Sequence, residues 1–101
     1  MSKFGKRIKE LREEQNFLQK HIAVQLDIDT PMLSKIERGE RKARKEQVKL
    51  LADIFKMSES DLLTLWLADQ VYDVVKDEDV ALRAIQLAEE QVKYQIKSKK
   101  K

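Results

Sequence analysis

The chain has 101 residues, with no cysteine, one histidine, two glycines and one proline; 42% of it is apolar and 39% charged. That is enough for one compact domain with its own core, and the lack of cysteine excludes thiol chemistry, disulfides and a Cys-based zinc site. The net charge of +3 is unevenly spread: residues 1–57 carry 14 Lys/Arg against 9 Asp/Glu, residues 58–96 carry 3 against 9, and residues 97–101 carry 4 lysines and no acid. A basic front therefore hides behind a near-neutral total, a pattern that suits a nucleic-acid face and equally suits ordinary solvated helices.

Leu, Ile, Lys, Glu, Gln and Arg dominate, and glycine and proline punctuate the chain at only three positions. This predicts an all-helical protein. Residues 1–7 hold no long apolar run before a small-residue cleavage site, and the most apolar stretch, 62–68, is too short to span a bilayer. The expected compartment is the cytoplasm, with no membrane partner.

Phe4, Ile8, Leu11 and Gln15 follow at helical spacing and predict a first helix over 3–15. Asn16-Phe17 breaks the pattern, and 19–26 resumes it with Ile22, Ala23 and Leu26 on one face. Asp27-Ile28-Asp29 interrupts again. Asp29 can cap a third helix over 30–38, with Thr30-Pro31 in its first turn, where the missing N–H of proline does no harm. Gly39 stands where a C-terminal cap needs positive φ, and 40–44 reads as a polar loop. Val48, Leu51, Ala52 and Phe55 form the stripe of a fourth helix, 45–56. Ser58 with Asp61 approximates a capping box and opens a fifth helix, expected to end near Leu67. A short segment over 69–76 then leads to Asp77-Glu78-Asp79, suited to a helix N-terminus. Val80, Ala81, Ile85, Ala88, Val92 and Ile96 give the last helix its seam, and the basic tail 97–101 is expected to be disordered.

Two short helices joined by a tight turn, the second capped and closed by glycine, make a helix-turn-helix. Ile22, Leu26, Ile28, Leu33 and Ile36 fall where steeply crossing helices touch, with small Ala23 at the crossing. Asp27 occupies a turn position that usually demands positive φ, which Asp tolerates better than most residues. On spacing alone, two packed helices of any small bundle fit 19–36 equally well. The residues themselves are more specific. Leu33-Ser34-Lys35-Ile36-Glu37-Arg38-Gly39 resembles the I-S-R-I-E-R-G pattern of Xre/Cro-type helix-turn-helix repressors, and the stretch from Phe4 to Arg12 resembles their first helix. The likeness continues through 19–23 and 50–55 and covers about residues 4–63.

The resemblance implies an all-α protein, with a five-helix lambda-repressor-like DNA-binding domain over 1–67 and a C-terminal helical extension over 68–101 that serves dimerisation. In that family the third helix enters the major groove, and Thr30, Pro31, Met32 and Lys35 match its base-facing positions. Lys35 can donate to guanine O6 and N7, and Met32 or the Thr30 methyl can touch a thymine methyl. Gln19, Arg38, Arg41, Lys42, Arg44 and Lys45 match positions that hold phosphates. Arg12 and Glu37 match a largely buried salt bridge that orients the recognition helix. Three departures stand out. Leu18 replaces the usual Ser or Thr before the second helix, so irregularity is expected there unless Asn16 compensates. Asp27 replaces glycine in the turn, and Pro31 offers no hydrogen bond to a base, which leaves direct readout to Lys35, Thr30 and Arg38.

One recognition helix reads few base pairs, so regulators of this size usually bind as two-fold dimers. Leu62 and Trp66 on the fifth helix and Ile85 and Val92 on the last are the candidate dimer residues, although the first two could equally be core. The expected partners are double-stranded DNA and a second copy, with no cofactor, metal or small-molecule ligand. An enzyme is not expected: His21 has no second histidine or cysteine, the Glu13-Glu14 and Glu89-Glu90 side chains diverge on a helix, and there is no glycine-rich phosphate loop. Small single-domain regulators with an added helical segment include the controller proteins of restriction-modification systems, which this sequence resembles. The alternatives are a phage-type repressor and an antitoxin-like protein-interaction module.

Overall fold

The structure, a computed structural model, describes residues 2–99. They form α1 (Lys3–Glu14), α2 (Gln19–Leu26), α3 (Thr30–Arg38), α4 (Lys45–Phe55), α5 (Glu59–Val75) and α6 (Ala81–Lys99), with no strand among the described residues. The chain divides into two compact units, Met1–Gln70 and Val71–Lys101.

The local signals account for most helix ends in the first unit. Asp29 accepts a hydrogen bond from the Met32 N–H at 2.8 Å and starts α3, and Gly39, at φ +80°, ends it. Asp27 is left-handed at φ 57°, as the tight turn requires. α2 begins regularly at Gln19 in spite of Leu18. The Leu18 N–H donates to His21 Nδ1 at 3.1 Å, so the histidine three residues on reaches back to the cap position. Asn16 does not cap α2; it adopts φ 60° after α1, and the Phe17 N–H donates to the Arg12 carbonyl.

The start of α1 depends on a distant residue. Ser2 Oγ accepts from the Gly5 N–H at 2.8 Å. The Asp69 carboxylate of α5 accepts from the Ser2 hydroxyl at 2.6 Å and from the Lys3 and Phe4 N–H groups at 2.9 and 3.0 Å. An anion there meets otherwise unpartnered donors and the positive end of the helix dipole.

The core of this unit takes Ile8 from α1, Ile22 from α2, Leu33 from α3, Val48 and Leu51 from α4 and Leu62 from α5, all sealed from solvent. Gly5 sets the approach of α1 to α3. A Cβ added there would lie 2.5 Å from the Ile36 carbonyl oxygen and 2.6 Å from that of Glu37, so only glycine lets the two backbones come so close.

One dimer candidate is corrected by this packing. Leu62 is 1% exposed and belongs to the core, so it presents nothing to a second copy. Trp66 is half-buried against the same core, and its indole N–H donates to the Ala43 carbonyl at 2.8 Å. The expected end of the fifth helix near Leu67 is also corrected. No glycine or proline interrupts residues 68–75, and α5 continues to Val75. In the second unit no side chain from Val71 to Ser98 is buried, and Ile85 and Val92 are 38% and 53% exposed. Residues 97–99, expected to be disordered, extend α6, because lysine is a good helix former and a favourable charge at a helix C-terminus. Residues 100 and 101 of that tail lie outside the described residues.

Leu62→Ala should lower the unfolding free energy by about 2–5 kcal/mol, the range for a buried leucine that leaves a cavity. Association between copies should be unchanged, as checked by urea denaturation alongside sedimentation.

Candidate nucleic-acid interface

α3 has a clear inside and outside. Leu33, Ile36 and Glu37 are buried, while Pro31, Lys35 and Arg38, at i, i+4 and i+7, form an exposed row on the opposite face. Thr30 is exposed at the start of the helix. Met32 departs from the expectation. It is half-buried against the core and lines a shallow depression with Ile28, Ile36 and Arg41, so only part of its side chain faces outward.

Glu37 holds this orientation. Arg12 Nε donates to its Oε2 at 2.7 Å and Nη2 to its Oε1 at 3.2 Å, with the carboxylate 3% and the guanidinium side chain 12% exposed. The remaining Arg12 nitrogen, Nη1, donates to the Phe17 carbonyl. The hydrogen bond to Glu37 holds the Arg12 guanidinium above its ordinary pKa, with burial opposing.

Gln19 joins the same network. Its Nε2 donates to Glu37 Oε1 at 3.1 Å, and its Oε1 accepts from the Ser34 hydroxyl at 3.1 Å. Both ends of the side-chain amide are thus engaged within the protein, and the second Nε2 hydrogen and the main chain at the start of α2 are the donors of Gln19 left for an anion. Arg12 from α1, Gln19 from α2, and Ser34 and Glu37 from α3 therefore form one connected polar cluster.

Beyond Gly39, the loop presents Arg41, Lys42 and Arg44, and α4 opens with Lys45; all four are exposed. The loop itself is anchored. Ala43 is buried and held by Trp66, while the Arg44 N–H donates to Gln47 Oε1 at 2.8 Å. Arg41, Lys42 and Arg44 also edge the depression beside Met32, where Asp27 is the acidic residue. Arg38 is exposed but already paired. Its Nε and Nη2 donate to the Glu40 carboxylate at 2.7 and 3.3 Å, which raises the guanidinium pKa and lowers that of the carboxyl.

A family model described as helix-turn-helix matches residues 8–62, more than half of the chain and the stretch that contains this cluster. The chain belongs to the helix-turn-helix family. Like other helix-turn-helix proteins it is a DNA-binding regulator of transcription, and the family is one of DNA-binding regulatory domains that are not typically enzymatic. A comparison with curated proteins gives no match. Among the described residues no helix is long and apolar enough to cross a membrane.

Five basic residues of this helix-turn-helix domain, Lys35 and Arg38 on α3 and Arg41, Lys42 and Arg44 on the loop after it, are thus exposed. The structure adds Ser34, Glu40, Trp66 and Gly5, which sequence reasoning did not single out as site residues. Glu40 could have been found as the acid two residues beyond Arg38. Gly5 and Trp66 act across long sequence separations that no local pattern reveals.

Two substitutions probe this arrangement. Arg12→Ala should cost about 3–5 kcal/mol of stability by stranding the buried Glu37, and the double variant Arg12→Met, Glu37→Leu should recover much of it; thermal unfolding compares the two. Glu40→Gln should release Arg38, tightening DNA binding and steepening the log–log salt dependence by about one. Anisotropy titrations across a salt series measure this, and an unchanged slope would remove Arg38 from the phosphate contacts.

Proposed function

We propose that this chain is a sequence-specific, dimeric regulator that lays α3 in the major groove of a pseudo-palindromic operator. The observation that carries the reading is the exposed row of Pro31, Lys35 and Arg38, with Thr30 beside it, on a helix whose opposite face is locked to the core by Glu37. In this reading Thr30, Pro31, Met32 and Lys35 face the bases. Lys35 donates to a guanine edge, the Thr30 methyl and the exposed part of Met32 contact a thymine methyl, and Pro31 contributes shape alone. Arg38, Arg41, Lys42, Arg44 and Lys45 hold the backbone, joined by Gln19 at the start of α2.

A single recognition helix contacts too few base pairs for selectivity, so two copies on half-sites a helical turn apart supply the readout. Ile85 and Val92, exposed on α6, belong to the surface that joins them. The protein acts in the cytoplasm without a small-molecule ligand, and its small size and added helical segment support control of a restriction-modification operon. A neighbouring methyltransferase or endonuclease gene would support that setting, and its absence would favour a phage-type repressor.

Selection from random duplexes with the purified protein tests the reading, and a two-fold symmetric consensus is expected. Recovery of no sequence preference would defeat it. Within that consensus, Lys35→Ala should cost about 1–3 kcal/mol at one base pair and relax preference there. Arg44→Ala should weaken all sequences alike and reduce the salt slope by about one.

A further inference from the structure

α6 presents an uncovered seam. Ala81, Ile85, Ala88, Val92 and Ile96 follow one another at helical spacing, and Ile85, Val92 and Ile96 are 38%, 53% and 50% exposed. A single helix of this length gains little stability in water from propensity alone, so a seam of this kind calls for a partner surface.

The charges identify the partner. Residues 77–90 carry five acids, Asp77, Glu78, Asp79, Glu89 and Glu90, against Arg83, whereas residues 91–101 carry five lysines and no acid. The helix dipole favours acid at the first turn and lysine at the last. A parallel pair of such helices would set acid beside acid and lysine beside lysine. An antiparallel pair sets Asp77, Glu78 and Asp79, which lead into α6, beside the lysines at the end of the other helix, with Glu89 and Glu90 near the centre of the pair.

The seam fits the same direction. It is close to symmetric about residues 88 and 89, so antiparallel pairing brings Ile85 beside Val92 of the partner subunit and Ala81 beside Ile96 of the partner subunit. A small side chain then faces a large one at each end, where a parallel pair would set alanine against alanine and isoleucine against isoleucine.

We propose that α6 binds α6 of a second copy of this chain, antiparallel, with the acidic residues 77–79 that lead into each helix against the lysine-bearing end of the other. The proposal rests on the dimeric reading above and gives that dimer its surface and its direction.

The absence of native cysteine makes the test direct. Three single variants, Ala81→Cys, Ala88→Cys and Ile96→Cys, are oxidised mildly in the full chain without DNA, run on non-reducing gels, and sedimented in parallel. In the antiparallel pair the two copies of residue 81 are about 22 Å apart along the axis at 1.5 Å per residue, well beyond the Cα separation of about 7 Å that a disulfide tolerates. The expected result is self-linkage of Ala88→Cys, little self-linkage of Ala81→Cys or Ile96→Cys, and efficient linkage when those two are mixed. Self-linkage of all three with no preference for the mixed pair would overturn the direction and leave the dimer standing. A dimeric mass with no linkage at any position would move the interface away from α6 and overturn the proposal alone. A monomeric mass for the unmodified chain across the concentrations used for DNA binding would overturn both this proposal and the dimeric reading.

Discussion

The ion pair between Arg12 and Glu37 is the constraint on which the arrangement of the DNA-binding unit depends. A carboxylate with 3% of its side chain exposed is tolerable only when every oxygen has a partner, and two helices, α1 and α2, supply the groups that make this possible. Its value lies in orientation more than in net stability, since an apolar pair of similar volume could fill the same space. Glu37 can meet Arg12 and Gln19 at only one rotation of α3. That rotation turns Lys35, two residues earlier, and Arg38, one residue later, toward solvent.

The remaining contacts protect that geometry from the outside. Gly5 brings α1 within backbone distance of the last turn of α3. Asp69 ties the start of α1 to α5, and Trp66, one turn earlier on α5, holds the loop between α3 and α4 at Ala43. Through these links α5 positions both the helix that carries Arg12 and the loop that carries Arg41, Lys42 and Arg44. A loop pinned at a buried alanine presents its flanking cations with less entropy to lose on meeting a phosphate backbone.

The two units differ in physical kind. Residues up to Gln70 enclose a shared apolar core, whereas no side chain from Val71 to Ser98 is buried. The first can hold its shape by its own packing; the second has apolar side chains at helical spacing and nothing within the unit to cover them. Charge divides elsewhere, with excess lysine and arginine over residues 1–57 and excess acid over 58–96.

Much of this was legible in the chain itself, because the responsible forces act over three or four residues. Asp29 and Gly39 bracket α3 through bonds and dihedral angles set locally, and the apolar spacing of Ile8, Ile22, Leu33 and Leu51 marks one face of each helix. The motif around Leu33 to Gly39 identified the family and the pairing of Arg12 with Glu37. Other features depended on residues far apart in sequence. Leu62 could be read as core or surface until α1 to α4 closed around it, and Met32 looked exposed until Ile28 and Ile36 packed beside it. Asp69 gave no local sign that it would cap α1, and α5 ran past its expected end because residues 68–75 contain nothing that stops a helix. Sequence by itself determined most of the helices, the family and the basic character of residues 1–57, since periodicity, caps and charge are local properties. Only the tertiary structure decided which apolar residues were sealed, how Gln19 was engaged and which cations stood free, because each of those outcomes required side chains from separate helices to compete for the same space.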